Sequence, residues 1–151
     1  MALLLEACPS FELTWATIED DVAHLDGEAP GGRLFYLDAA SFVRHAGELQ
    51  LTGATDEFDR VFDLIERFVV DGDEYVSNLG VIGFLEGMQM ETITKLGLDP
   101  EEAFRPWLRP VSEAWWNRLN RFWSGERNAL QVTSDQIRAE AAAREPPGSR
   151  N

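Results

Sequence analysis

Cysteine, lysine and histidine are the scarce residues of this chain of 151 residues, with a single Cys (Cys8), a single Lys (Lys95) and two His (His24 and His45). One cysteine excludes an intrachain disulfide and fits a reducing compartment. A catalytic thiol would need a histidine beside it, and only two are available. Cys8 therefore reads as a small buried residue. No apolar run approaches the roughly 18 residues of a membrane-spanning helix. The start, Met1 to Pro9, is apolar but short and lacks a basic leading region, so it does not read as a signal peptide. Phosphate-cradling glycine loops, serine-nucleophile motifs and zinc motifs are missing too. The expectation is a soluble, cytoplasmic protein with no cofactor and no resident metal.

Positive charge is also in short supply. Thirteen basic residues face 27 acidic ones, for a formal net charge of -14. The imbalance is local, with 22 acidic and 5 basic residues over 1–102 and 5 acidic and 8 basic over 103–151. A small domain needs a net charge of only about 2–8 in magnitude for solubility. An acidic surface of this strength repels nucleic acid and anionic membrane, which require Lys and Arg to meet phosphates. It attracts a basic protein and speeds the encounter. The bland alternative is a solvated acidic surface that serves solubility alone. Twelve Arg against one Lys fits the codon usage of a GC-rich bacterial genome.

What the chain has in quantity is apolar and aromatic material. Hydrophobic residues make up 44%, with five Trp and nine Phe. That is enough for one well-filled core. The pattern is helical throughout. Phe11, Trp15, Ile18, Val22 and Leu25 step by four and three, predicting a helix that ends near Asp26-Gly27. Residues 26–33 are a loop rich in Gly and Pro. Leu34 to Leu37 lead into a helix reaching about Leu51, with Asp38 as its expected cap. Thr55 is the expected cap of the next helix, whose Phe58, Val61, Phe62, Ile65, Phe68 and Val69 form the clearest apolar stripe.

Asp73 is placed to cap a following helix that is apolar nearly all round, which predicts burial at the centre. Gly80, Gly83 and Gly87 fall on one side of it, where a neighbouring helix approaches closely. That helix is expected to run to Leu96-Gly97. Asp99-Pro100-Glu101-Glu102 is a start signal for a short helical turn. Pro110 opens a helix carrying Trp115, Trp116, Leu119, Phe122 and Trp123. Ser134 or Asp135 is expected to cap a last, Ala-rich helix. The reading is all-α: an irregular helical bundle or a short HEAT-like array of about five to six helices. Residues 1–125 form the domain, and 126–151 an appendage with a short helix and a disordered tail.

Several segments resemble a family of small uncharacterised bacterial proteins: Cys8-Pro9-Ser10-Phe11, Phe42-Val43-Arg44-His45, Glu74-Tyr75-Val76, Ile82-Gly83-Phe84-Leu85-Glu86, Phe104-Arg105-Pro106-Trp107-Leu108 and Trp115-Trp116-Asn117-Arg118-Leu119. The resemblance implies a helical domain and brings no activity with it. Small acidic proteins of this kind are also similar, in a general way, to immunity proteins that neutralise secreted bacterial toxins.

The leading functional expectation is a protein-binding module that meets a basic partner through an acidic face of Glu19, Asp20, Asp21, Asp71, Asp73 and Glu74. The cations and aromatics from 105 to 123 offer a second surface, with Trp107, Trp115, Trp116 and Arg118 as interface candidates. This surface would serve a partner or a second copy of the chain, as an oligomerisation or scaffold module. The alternative for the same residues is a Trp-rich core edge whose arginines pair with acids. A third expectation is a metal-dependent or small-molecule enzyme built on His45, Glu48 and Glu86. No catalytic residue is assigned.

Overall fold

The computed structural model describes residues 1–22 and 35–144, with the side chains of 19–22 excepted. Every regular element among the described residues is helical. The order is α1 (Ala2–Ala7), a 3₁₀ turn (Pro9–Phe11), α2 (Glu12–Val22), α3 (Phe35–Thr52) and α4 (Phe58–Asp71). Then α5 (Glu74–Asn78), a π-helical stretch (Leu79–Glu86) and α6 (Gly87–Gln89) form one continuous rod. It is followed by α7 (Glu91–Lys95), α8 (Pro100–Ala103), a 3₁₀ turn (Arg105–Trp107), α9 (Pro110–Trp123) and α10 (Ser134–Arg144). The all-α expectation is met. The predicted loop at 26–33 and the tail beyond 144 lie outside the described residues.

Periodicity explains the core. On α4, Phe58, Val61, Phe62 and Ile65 recur every three or four residues and are fully buried. On the rod, Leu79, Val81, Phe84, Leu85 and Met88 are buried, and the rod packs against α3, α4 and α9. Its nearly all-round apolarity places it at the centre, as the pattern predicts.

The rod departs from the sequence reading in two ways. Its middle winds as a π-helix, with hydrogen bonds reaching five residues instead of four. The glycines therefore do not share one side. A methyl group added at Gly80 would lie 2.8 Å from Val69 of α4. At Gly83 it would lie 3.1 Å from the Ala39 methyl of α3, and at Gly87 3.2 Å from Val43 of α3. Close approach is thus confirmed, but toward two partners. The second departure is at Met90, which is extended and separates α6 from α7. The expected single helix to Leu96 is broken there.

Local capping follows side-chain chemistry with corrections. The Asp73 carboxylate accepts from the Val76 N–H at 2.9 Å, and Asp99 accepts from Glu101 N–H at 2.8 Å. Glu57, not Thr55, holds the cap position of α4, and its side chain bonds elsewhere. Asp38 sits inside the first turn of α3, buried, and is not its cap. Thr133 rather than Ser134 or Asp135 receives the N–H of Gln136, at 3.2 Å. The start of α9 is capped from outside, because Glu66 of α4 accepts the N–H groups of Val111 and Ser112 at 2.8 and 2.7 Å.

Residues 126–144, read as an appendage, lie against the domain. Ala129, Ile137 and Ala141 are buried. Arg118 of α9 forms an ion pair with Glu140 of α10 and donates to the Ala129 carbonyl. Arg138 donates to the Val70 carbonyl of α4 at 2.9 Å. On this short Ala-rich helix the two buried apolar positions, Ile137 and Ala141, lie four apart and face the domain.

Candidate functional site

Two places gather chemistry-bearing side chains. The first is the acidic turn between α4 and α5. Asp71, Asp73 and Glu74 are all exposed there. Asp73 spends one oxygen on its helix cap. Among the described residues, Asp71 and Glu74 make no ion pair. A shallow concavity of about 480 Å³ is lined by Asp73, Glu74, Tyr75 and Asn78. Beside it Tyr75 packs edge-on against Tyr36 at 6.0 Å and Phe35 at 6.3 Å. Burial, Tyr36 and then Asp38 raise the Tyr75 hydroxyl above its ordinary value, so it stays protonated. The arrangement offers carboxylates and aromatic faces, and no nucleophile.

Glu19, Asp20 and Asp21 occupy the last turns of α2, but their side chains lie outside the described residues. The structure brings Asp71, Asp73 and Glu74 together at the α4–α5 turn.

The second place joins the end of α1, the first 3₁₀ turn, α3 and the start of α4. Ser10 Oγ donates to Glu57 Oε2 at 2.6 Å. The Cys8 thiol donates to the same oxygen at 3.0 Å, and the Ser10 N–H reaches the carboxylate at 3.3 Å. His45 Nε2 lies 3.0 Å from Ser10 Oγ. Because the serine proton goes to Glu57, His45 donates to Ser10 instead of accepting from it. Cys8 is fully buried, and burial and then the Glu57 contact push its thiol up to about 12. Burial raises Glu57, but the donors Cys8 and Ser10 outweigh it and hold the carboxyl below its usual range. Burial lowers His45 against the opposing pull of Glu48 and Glu57, which keeps it neutral at pH 7.

This cluster has the residue types of a nucleophilic site in the wrong protonation order. A thiolate is the reactive form of cysteine, and here the thiol keeps its proton. A serine nucleophile needs a base on its proton that is free to carry it onward, whereas Glu57 is held as an acceptor by three donors. The cluster is a polar clasp between the chain start and α4. Sequence reasoning missed it because Glu57 lies outside every segment singled out there and is distant in sequence from Cys8 and Ser10. The available signal was the proximity of Cys8-Pro9-Ser10 and His45 among the segments that carry the family resemblance.

The other expected sites are redistributed by packing. Trp116 is fully buried, and its indole N–H donates to Glu101 at 2.6 Å. Arg118 is held by Glu140 and the Ala129 carbonyl. Neither is available to a partner, so the interface reading fails for these two. Trp107 is half-buried against Phe58 at 5.2 Å, and Trp115 is half-buried at the core edge. Trp123, counted with the apolar side of its helix, is 51% exposed. The arginines pair with acids: Arg105 with Glu101 and Glu113, Arg109 with Asp59 and Asp63, Arg121 with Glu126. For the metal reading, no group of three His, Cys, Asp or Glu side chains among the described residues is placed to hold an ion. Glu48 pairs with Arg44, and Glu86 is raised above its ordinary value by burial. No helix of the described residues is long and apolar enough to cross a membrane.

Among known proteins, a family model described as "Domain of unknown function (DUF7674)" matches residues 1–124. No curated protein and no solved structure gives a match.

Proposed function

The chain belongs to this family of unknown function, and from that premise we propose that it is an acidic protein-binding module whose partner is a basic protein. One observation carries the reading. Arg105, Arg109, Arg118 and Arg121 pair with acids of α4, α8, α9 and α10 and with Glu126, and among the described residues Asp71, Asp73 and Glu74 of the α4–α5 turn take part in no ion pair. Asp71 and Glu74 are exposed at the surface, where a cationic partner can meet them. The Cys8–Ser10–His45–Glu57 clasp adds no activated thiolate to this picture, since the Cys8 thiol keeps its proton.

In its sharper form the partner is a basic toxin or effector, and binding neutralises it as an immunity protein does. The partner is to be captured at low salt on the immobilised chain from the native host and identified by mass spectrometry. Its dissociation constant is then followed with salt. A single basic protein whose affinity falls steeply between about 0.05 and 0.5 M salt supports the reading. The double variant Asp71→Asn, Glu74→Gln leaves the Asp73 cap intact and weakens that binding. Affinity indifferent to salt and to both substitutions would sink the proposal. Co-expression tests the sharper form: the chain rescues cells from the captured partner if that partner is a toxin.

A further inference from the structure

The α3 and rod elements expose an aromatic face that the core does not use. Tyr36 is 38% exposed and Tyr75 47% exposed, with Phe35 half-buried behind them. The Tyr36 and Tyr75 rings stand at 85° to one another, so one ring presents its face beside the edge of the other. Tyr75 also lines the concavity that holds Asp73, Glu74 and Asn78. Two tyrosines lying in the open need a reason. Neither extends the core, and neither hydroxyl has a hydrogen-bond partner among the described residues.

We infer that this face, Tyr36 and Tyr75 with Asp73 and Glu74, receives an arginine side chain of the basic partner. The inference rests on the reading above and narrows it to one surface and one residue type. Charge complementarity selects a cation, since Asp73 and Glu74 on the rim are exposed and take part in no ion pair among the described residues. The rings select its kind. A guanidinium is planar, weakly hydrated and stacks on aromatic faces while its N–H groups reach carboxylates sideways. An ammonium is compact and holds its water, so it gains less from the rings. Asn78 adds a side-chain carbonyl as a further acceptor on the wall of the concavity.

The test is a low-salt titration of the isotope-labelled full chain with a short arginine–glycine peptide, followed by two-dimensional NMR, with the lysine–glycine peptide of equal length in parallel. Shifts should concentrate at residues 35–37 and 73–78. The arginine peptide should bind more tightly than the lysine one, and Tyr75→Ala should weaken it about two- to fivefold. Tyr75→Phe keeps the ring and should keep the binding. Equal affinity for both peptides overturns the arginine assignment. Shifts on other acidic surfaces, unmoved by Tyr75→Ala, overturn this face while the basic-partner reading stands. No shifts with either peptide would remove both.

Discussion

Removing the Glu66 carboxylate should loosen α9 from α4. The two oxygens of Glu66 take the N–H groups of Val111 and Ser112, which the helix itself cannot satisfy. Arg109, the residue before Pro110, supplies no charge of the right sign to replace them. A hydrogen bond to a charged group contributes about 1.5–3 kcal/mol, and an anion at a helix N-terminus about 0.3–1 kcal/mol. The side chain is half-buried, so water recovers part of the loss. Glu66→Ala should then cost about 2–3 kcal/mol, and Glu66→Gln, which keeps one acceptor without charge, about 1 kcal/mol. For a domain of this size that is a fall in Tm of about 4–10 °C for the alanine variant. Urea unfolding at pH 7 reads it directly, with an unchanged m value reporting the same cooperative transition. An alanine variant within about 0.5 kcal/mol of the parent, with m unchanged, would refute the reasoning.

Three further outcomes follow from the described contacts. Glu101 accepts from Trp116, Asn120 and Arg105, and although burial raises its carboxyl, these donors hold it below the ordinary value. Its contribution is therefore complete above about pH 4.5 and is lost as the pH falls through its lowered value; Glu101→Gln should flatten that part of the urea midpoint against pH, and a parallel curve would refute it. Cys8 is fully buried with its thiol held near 12, so a thiol-directed reagent at pH 8 should label it only as fast as the chain opens, and immediately in denaturant. Gly83→Ala gains about 1 kcal/mol of helix propensity but brings a methyl 3.1 Å from the backbone-anchored Ala39 methyl; overpacking should win by about 1–2 kcal/mol, and a variant more stable than the parent would show that the rod can shift.

The helical class and the position of the central helix were legible because they depend on period alone. The α4 stripe of Phe58, Val61, Phe62 and Ile65 is read correctly from spacing. Asp73 and Asp99 as caps needed only local chemistry. The π winding of Leu79–Glu86 was not legible, since no residue type encodes it. Likewise, Glu57 is distant in sequence from Cys8 and Ser10, so no motif joins them. For the Trp-rich stretch, composition is the same for a core edge and an interface. Burial of Trp116 and the Arg118–Glu140 pair decide between them, and the pair depends on a helix more than ten residues downstream.

That helix lies past residue 124, where the family match ends. In this chain the matched region is thus closed on one side by a helix that lies outside it. In this chain Ile137 and Ala141 form the wall over α9, and Arg118 has its carboxylate in Glu140. A relative that stops at the matched boundary has to leave that wall open to water, fill it with its own flanking sequence, or lend it to another molecule. The boundary chosen for expressing this protein decides whether the flank of α9 is sheltered or bare.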